Sequence, residues 1–361
     1  MPLIWAAISA HGFGHAAQVV PVLNALAGLV PELRVLLRTT VPAPFFQDRL
    51  VIPWVISATQ QDVGCIQDGP LTINVPATWQ EHHRFHATWD ERLEAEVAAM
   101  RTAQPNLVLA DIPYLALAAG KHAGIPTFAL ASFTWDLVLA DYQAPHSIDK
   151  AALVRAIQDA YRQADLALRI APAPKMDLFP RLTDIAPIAE PAPAVRHQLA
   201  EALQLAPGEK TVLVGFGGIP LTSVPFHKLE GLQGYRFLFD GQLPRSSTRF
   251  VSTKSLPFSF KTLMASVDLI MTKPGYGTLV EAVALQIPVL YVRRYNFADE
   301  QPLVEYLHRH GRGCEMSKEE FTEGRWQLPL TKALETPSPA SPSPAPSGAA
   351  EAARLLASSC Q

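Results

Sequence analysis

One stretch of this 361-residue sequence reads Met271-Thr272-Lys273-Pro274-Gly275-Tyr276-Gly277-Thr278-Leu279-Val280-Glu281. It overlaps the apolar run 267–271, which predicts a buried strand, and it continues into a helix. Gly275 and Gly277 remove side chains at the point where a ligand would approach the backbone. The first turn of the helix presents unpaired N–H groups and the positive end of the helix dipole, so the stretch predicts a phosphate-binding loop between a strand and a helix.

Side chains within the stretch suit a nucleoside diphosphate. Lys273 adds a full positive charge, and Thr278 is expected to cap the helix while its hydroxyl faces outward. Glu281 lies one turn further along, where its carboxylate can accept two hydrogen bonds from a ribose diol. A capped helix after a strand in any doubly wound domain has the same spacing, so both interpretations stay open on spacing alone.

The stretch resembles the donor-binding signature of GT-B glycosyltransferases, as found in plant secondary-metabolite enzymes. In that signature a strand is followed by a basic residue, Gly-aromatic-x-Ser/Thr-x-x-Glu, a Pro and an acidic-Gln pair. The matching positions here are Lys273, Gly275, Tyr276, Thr278, Glu281, Pro288 and the pair Glu300-Gln301. A small insertion around residues 293–295 delays the acidic-Gln pair. The resemblance implies an α/β chain with the GT-B fold, in which two Rossmann-like, doubly wound parallel-sheet domains face a cleft.

Composition agrees with two packed cores and argues against a polyanionic partner. The chain is 48% hydrophobic and carries a formal charge of −3, so nucleic acid is not expected as a partner. The three cysteines, Cys65, Cys314 and Cys360, lack the spacing of a zinc site or a disulfide framework, which fits a reducing, cytoplasmic location. The sequence pattern predicts no particular oligomeric state.

Membrane-spanning segments are not predicted. The apolar N-terminus lacks a basic start, so we interpret it as a first strand rather than a signal peptide. Apolar runs stay short of the roughly 20 residues that cross a bilayer. A lipid acceptor could still bring the protein to a membrane surface.

Strand and helix patterns alternate along the chain and predict two domains. The order strand 3–8, helix 17–27 and strand 33–37 is βαβ, and it recurs around 107–130 and again after 211. Three prolines between residues 185 and 194 stiffen the chain and mark a boundary. We therefore expect an acceptor-binding domain over 1–188, a nucleotide-sugar-binding domain over 189–335, a Pro/Ser/Ala linker over 336–348 and a C-terminal helix over 349–361. In GT-B proteins such a last helix crosses back to the first domain.

The first strand-to-helix turn reads Ser9-Ala10-His11-Gly12-Phe13-Gly14-His15-Ala16. It resembles the glycine-rich turn of the lipid-linked GlcNAc transferase of peptidoglycan synthesis and the Gly-His pair of plant glycosyltransferases. It is most similar to the glycosyltransferase-like N-terminal half of plant arabinokinases. That similarity extends over most of the chain up to Leu307 and includes the segments 62–64, 111–113 and 133–136.

A neutral imidazole suits the deprotonation of an acceptor hydroxyl as it attacks an anomeric carbon. His15 is our candidate for this general base, and Asp111 matches the acidic partner of the plant enzymes. A helix-start histidine bonded to backbone and an aspartate that caps a loop are the structural alternatives. His11 could instead contact phosphate or substrate, and the sequence does not separate the two histidines.

The remaining site residues follow from the resemblance. Gly217-Gly218 matches the glycine loop that faces the donor diphosphate, and Phe258 lies where relatives hold the base. The expected donor-binding residues are Gly14, Gly217, Gly218, Phe258, Lys273, Pro274, Gly275, Tyr276, Gly277, Thr278, Glu281, Glu300 and Gln301. The expected acceptor-binding residues are His11, Phe13, Trp135 and Asp136.

A metal site is not expected. His82 and His86 share a helical face near Glu81 and His83, but no second ligand cluster follows, so a solvated or acceptor-facing helix is the preferred interpretation. The nucleotide-sugar is a substrate, and no cofactor is expected.

The resemblance implies a metal-independent glycosyltransferase that moves a sugar from a UDP- or dTDP-sugar to an acceptor hydroxyl, with inversion. One alternative is a nucleotide-sugar 2-epimerase of the same fold, which requires cleft carboxylates beyond Asp111. A second alternative is a non-catalytic, regulatory protein of the arabinokinase-like type that binds sugar nucleotides. The donor base, its sugar and the acceptor are not specified.

Overall fold

The structure is a computed structural model that describes residues 1–217, 224–240, 243 and 247–360. Two parallel sheets of seven and six strands, with helices around them, confirm the predicted α/β class and the two doubly wound units. Within the described part of the chain, none of the helices combines the length and the apolar composition that crossing a membrane requires.

The first sheet contains seven parallel strands in the order β3-β2-β1-β4-β5-β6-β7. Its inner strands are almost fully apolar because helices cover both faces of a doubly wound sheet, and every residue of β4 and β5 is buried. The strands are β1 (Leu3–Ile8), β2 (Arg34–Arg38), β3 (Trp54–Ser57), β4 (Leu107–Asp111), β5 (Thr127–Ala131), β6 (Leu166–Ile170) and β7 (Leu182–Ile185).

Seven helices connect and cover these strands among the described residues. They are α1 (Gly14–Ala27), α2 (Pro44–Gln47), α3 (Val75–His86), α4 (Trp89–Ala103), α5 (Tyr114–Ala123), α6 (Trp135–Ala140) and α7 (Lys150–Tyr161). Strand order reverses between β1 and β4, because the chain builds β2 and β3 on one side of β1 and the remaining strands on the other. Ligands of doubly wound sheets bind beyond the carboxyl ends of the strands at such a switch point.

The second sheet contains six parallel strands in the order β10-β9-β8-β11-β12-β13. They are β8 (Lys210–Val214), β9 (Tyr235–Phe239), β10 (Phe250–Ser252), β11 (Leu269–Thr272), β12 (Val289–Tyr291) and β13 (Gly313–Glu315). The helices of this half are α8 (Arg196–Leu203), α9 (Phe226–Leu229), α10 (Phe260–Ser266), α11 (Tyr276–Leu285), α12 (Glu300–His310), α13 (Lys318–Glu323) and α14 (Gln327–Glu335). Its switch point lies between β8 and β11, so the loops after these two strands meet at one edge.

The last helix, α15 (Gly348–Ala357), packs against α1 of the first half. Glu351 anchors it, since its carboxylate accepts a hydrogen bond of 3.0 Å from the backbone N–H of Ala186. Gly348 makes this approach possible, because a Cβ at that position would lie 2.0 Å from the carbonyl oxygen of Ala186. The chain therefore crosses between the two halves a second time.

Candidate functional site

His15 and Asp111 form a buried pair at the switch point of the first sheet. His15 is the second residue of α1 and Asp111 is the last residue of β4, so the carboxyl ends of β1 and β4 bring them together. The Nδ1 atom of His15 lies 2.8 Å from Oδ1 of Asp111, and the two residues are 5% and 0% exposed. His15 is thus bonded to a carboxylate rather than to backbone.

Three carboxylates control the protonation of His15. Burial alone lowers the pKa of the imidazole, but the charge and hydrogen bond of Asp111, together with Asp62 and Asp299, raise it above the ordinary value of 6.5. Burial in turn raises the pKa of Asp111 above its usual range, while His15 opposes that shift. The second carboxylate oxygen of Asp111, Oδ2, is buried and has no hydrogen-bond partner among the described residues.

Asp62, which the sequence analysis did not select as a site residue, lies beside this pair. It is 6% exposed and accepts a 2.8 Å hydrogen bond from Nε1 of Trp135. Burial raises its pKa. Trp135 itself is fully buried, and its contact with an acceptor stays a prediction.

His11 has a different environment from His15. Its Nδ1 accepts a 3.2 Å hydrogen bond from the backbone N–H of Cys65, which fixes the proton of the neutral ring on Nε2. Nε2 lies 3.2 Å from the side-chain amide of Gln67. When the amide is oriented with its oxygen toward the ring, this oxygen accepts a hydrogen bond from Nε2–H. Burial, followed by the charges of His15 and Lys273, keeps the pKa of His11 well below 6.5. His11 is therefore neutral, and its two hydrogen bonds hold the loop 62–67 in place.

Lys273 follows β11 at the switch point of the second sheet. Burial, followed by the nearby Arg294 guanidinium, lowers its pKa to about 7. A Cβ placed on Gly217 would lie 4.0 Å from its Nζ, so the loop after β8 passes directly beside the lysine. Gly217 has φ +73°, a left-handed conformation that favours glycine. The neighbouring candidate Gly218 lies outside the described residues.

Asp299 connects the two groups of charged residues, and the sequence analysis did not select it. Burial raises its pKa to about 6, and both Lys273 and His15 lie close enough to lower it. Its Oδ1 is buried and has no hydrogen-bond partner in the described part of the chain. Lys273 and His15, from opposite halves, thus lie within electrostatic range of the same carboxylate.

The first turn of α11 is open on the side of the loop. Gly275 is its N-cap residue in an extended conformation, and no side chain caps the helix. Thr278 lies inside the first turn, so the expectation that it caps the helix was wrong. A Cβ on Gly277 would meet no described atom within 4 Å, which leaves space for a ligand beside the N–H groups of this turn. Pro274 is buried behind the loop.

Tyr276 and Glu281 make contacts away from this open face. The hydroxyl of Tyr276 donates to the carbonyl of Ala171 at 2.8 Å and accepts from the N–H of Ile188 at 3.1 Å. It thereby joins α11 to the end of the first half. Glu281 forms an ion pair of 2.9 Å with Lys261 of α10, and burial raises the pKa of its carboxyl group.

Glu300 and Gln301 also have partners within the protein. Glu300 is fully buried, and Oε1 accepts a 2.7 Å hydrogen bond from Nε of Arg294 while Oε2 accepts from the N–H of Tyr295 at 3.0 Å. Gln301 is exposed and accepts from Nη2 of Arg293 at 3.2 Å. Glu300 fixes the loop before α12, and contact of either residue with a donor sugar stays a prediction.

The other selected residues also have neighbours within the protein. Phe13 is 46% exposed and stacks on Phe45 at 5.4 Å, next to Gly14 at the start of α1. Asp136 is buried and accepts from Gln158 at 3.2 Å. Phe258 is half-buried and packs against the large hydrophobic cluster. Their contacts with substrate stay predictions.

The histidines of α3 point to separate partners. Nε2 of His82 lies 2.9 Å from the carbonyl of Gly64, and His86 stacks on Trp89 at 5.2 Å. Among the described residues there is no group of three or more His, Cys, Asp or Glu side chains that could hold a metal ion.

Two surface cavities lie away from the His15–Asp111 pair. One of about 550 Å³ is lined by α4 and His122, and another of about 420 Å³ is lined by Arg169, Lys175, Tyr306 and Arg309 among others. Volume alone does not identify the site, because the buried pair His15–Asp111 and Lys273, whose pKa values are shifted by burial and by neighbouring charges, lie at the two switch points.

Comparisons with known proteins agree on the fold. No family model matches the chain. L-arabinokinase of Arabidopsis thaliana is 26% identical over 340 residues, which cover 91% of this chain and 32% of that protein, so the chain spans about a third of the length of this curated relative. Among solved structures, the calicheamicin glycosyltransferase CalG4 aligns with TM-score 0.61 and 15% identity over 100% of this chain and 94% of that one.

Two further solved structures cover nearly the whole chain. A UGT2 of Phytolacca americana, complexed with UDP-2fluoro-glucose and pterostilbene, aligns with TM-score 0.61 and 15% identity over 99% of this chain and 94% of that one. The glycosyltransferase SnogD of Streptomyces nogalater aligns with TM-score 0.56 and 18% identity over 99% of both chains. At these identities the likeness shows a shared fold, that of the GT-B glycosyltransferases.

Proposed function

We propose that this chain, which has the GT-B fold, is a glycosyltransferase that moves a sugar from a nucleoside-diphosphate sugar to an acceptor hydroxyl. The observation that carries the proposal is the pairing of His15 with Asp111 in the first half, with Asp299 in electrostatic range of both His15 and Lys273 of the second half. GT-B neighbours include a protein complexed with UDP-2fluoro-glucose and another complexed with UDP-glucose, which supports a UDP- or dTDP-sugar as the donor.

On the acceptor side, His15 acts as the general base. Its Nδ1 proton is donated to Asp111, so Nε2 is the nitrogen that takes the proton of the acceptor hydroxyl. Asp111 orients the ring and stabilises the imidazolium that forms. His11 is a poor candidate for this role because its Nδ1 already accepts a hydrogen bond and its pKa is low.

On the donor side, the second half binds the diphosphate. We assign the diphosphate contacts to Lys273, to the hydroxyl of Thr278 and to the N–H groups at the start of α11, where Gly277 leaves open space. They stabilise the charge that develops on the leaving nucleoside diphosphate, and this positive potential supports a reaction without a divalent metal. Attack by the acceptor opposite this leaving group inverts the anomeric centre.

A panel of nucleotide-sugars tests the proposal. Thermal shift identifies the donors that bind, since a ligand that binds only the folded state raises the melting temperature. Release of nucleoside diphosphate from one of these donors, in the presence of an acceptor panel or water, supports a transferase. Binding of donors without release across the whole panel contradicts it and favours the non-catalytic alternative.

A nucleotide-sugar 2-epimerase is the second candidate, because the structure adds two carboxylates to the cleft. Asp62 and Asp299 are both buried near His15, and an epimerase requires carboxylates beyond Asp111 to move the proton at C2. Incubation of each bound donor in deuterium oxide distinguishes the reactions. Deuterium at C2 favours the epimerase, whereas a transferase releases nucleoside diphosphate and leaves C2 unlabelled.

A further inference from the structure

Phe297 belongs to the second half of the chain but is buried among rings of the first half. It lies between β12 and α12 and is 7% exposed. Its ring stacks on His11 at 5.9 Å with an interplanar angle of 7°, and it meets Phe133 edge-on at 5.3 Å. It also meets Trp135 edge-on at 6.5 Å.

The same first-half rings surround the candidate base. Phe133 lies 5.5 Å and Trp135 lies 6.4 Å from the imidazole of His15, measured between ring centroids. Phe297 therefore occupies space at the carboxyl-terminal edge of the first sheet, one ring away from His15. An acceptor that brings a hydroxyl to His15 must fit beside this side chain.

The loop that carries Phe297 is fixed from both halves. The Arg294 guanidinium lies 4.2 Å from the centroid of the Phe297 ring, and Glu300 holds Arg294 through a 2.7 Å hydrogen bond. From the first half, the hydroxyl of Tyr142 donates to the carbonyl of Asn296 at 2.8 Å. These contacts fix the loop and the position of the Phe297 ring, so the ring does not move aside freely.

We propose that Phe297 closes the acceptor subsite to aromatic and other bulky acceptors, so that a small polar molecule with a hydroxyl group is the acceptor that reaches His15. This inference rests on the proposed function. Truncation to alanine leaves a cavity on the order of 100 Å³, comparable to the roughly 150 Å³ apolar cavity that binds benzene in another protein. A benzene-sized acceptor is therefore the natural probe.

The first test measures binding of phenol and does not depend on turnover. Histidine ring signals are followed by NMR, and the His15 signal is assigned by its loss in His15→Gln. Phenol is expected to shift the His15 signal of Phe297→Ala and to leave that of the unaltered protein unchanged. The matched control is Phe321→Ala, because Phe321 is a fully buried ring in the core of the second sheet that stacks on Trp326 at 5.4 Å. There phenol is expected to leave His15 unchanged.

Phe297→Cys replaces the alanine variant if that variant does not fold, because it opens nearly as much space and keeps a small apolar side chain, and it is expected to show the same shift. A phenol-induced shift of His15 in the unaltered protein, or none in the Phe297 variants, overturns the proposal. Where a donor is turned over, Phe297→Ala is also expected to raise kcat/KM for phenol relative to glycerol by about tenfold or more. An unchanged ratio overturns the specificity claim, whereas absence of any turnover in the unaltered protein counts against the proposed function alone.

Discussion

Nδ1 of His15 lies 2.8 Å from Oδ1 of Asp111, although 96 residues separate them along the chain. The doubly wound sheet creates this contact, because β1 and β4 are neighbours and both end at the switch point. The carboxylate raises the pKa of the imidazole against the effect of burial. This pair determines the pH dependence of any reaction in which His15 accepts a proton.

The pH profile of kcat/KM tests the pair. His15 must be neutral to act as a base, and its pKa is raised, so activity is expected to fall as pH decreases through a value above 6.5. Asp111→Asn removes the largest of the charges that raise this pKa, so the acidic limb is expected to move to lower pH while the plateau rate decreases. Asp159→Asn, at an exposed position on α7, serves as the control and is expected to leave the profile unchanged. An acidic limb that does not move in Asp111→Asn contradicts the assignment.

Lys273 is expected to make diphosphate binding depend on pH. Its pKa of about 7 means that the charged form, which pairs with phosphate, is depleted as pH rises from 6 to 8. The Kd for UDP or dTDP is therefore expected to increase over this range, as measured by calorimetry. Lys273→Met is expected to weaken binding about tenfold or more and to abolish this dependence. Lys332→Met, on the exposed face of α14, is the matched control, and equal effects of the two substitutions argue against a phosphate contact.

His82 is expected to make the fold sensitive to acid. Burial lowers its pKa to about 4, whereas the unfolded chain titrates near 6.5, so the unfolded state binds more protons between these values. The stabilisation by neutral His82 is fully present above pH 6.5 and is lost as pH falls toward 4. The complete loss amounts to about 3 kcal/mol in the free energy of unfolding. Urea unfolding measures the free energy of unfolding at pH 7 and at pH 4.5. The decrease between the two pH values is expected to be smaller for His82→Gln than for the unaltered protein. His197→Gln, at an exposed position, is expected to change nothing.

Tyr276 is expected to stabilise the fold rather than to bind the donor. Its hydroxyl links the backbone of Ala171 and Ile188, and Tyr276→Phe removes the partner of the partly buried Ala171 carbonyl and of the buried Ile188 N–H. We expect a loss of about 1–3 kcal/mol in the free energy of unfolding and an unchanged Kd for UDP. Tyr235→Phe, whose hydroxyl lies 3.5 Å from that of Thr331, is the control for loss of a weaker contact. A large increase in the Kd for UDP in Tyr276→Phe would restore the donor role that the sequence suggested.

The most apolar inner strands were predictable from the sequence, whereas short strands and strands with polar residues were harder to predict. Helices cover both faces of each sheet, so its inner strands are apolar and can be recognised in the sequence as apolar runs. This holds for β1, β4, β5, β8 and β11. β6 and β7 escaped prediction because polar residues interrupt their apolar pattern, such as Arg169 of β6 paired with Asp184 of β7. β7 is also the edge strand of the first sheet, where polar side chains are common. The helix α3 was likewise not separated from the irregular region before it.

The site was predictable only where local sequence carries the signal. Glycine loops and helix starts identified the regions of His15 and Lys273. Asp62 and Phe297 reach the site through contacts with Trp135, from which they are 73 and 162 residues apart in the sequence. Asp299 was missed although it precedes the selected pair Glu300-Gln301. Successive residues of a helix differ by roughly 100° in direction, so helix phase decides which carboxylate faces the cleft.

The most direct measurement compares release of nucleoside diphosphate with donor affinity in His15→Gln. With a donor that the unaltered protein turns over, we expect kcat/KM to fall by about a hundredfold or more while the Kd of the donor stays the same. That result assigns the base to His15 and separates its role from donor binding. Undiminished release of nucleoside diphosphate by His15→Gln, with the same donor affinity, would contradict the account.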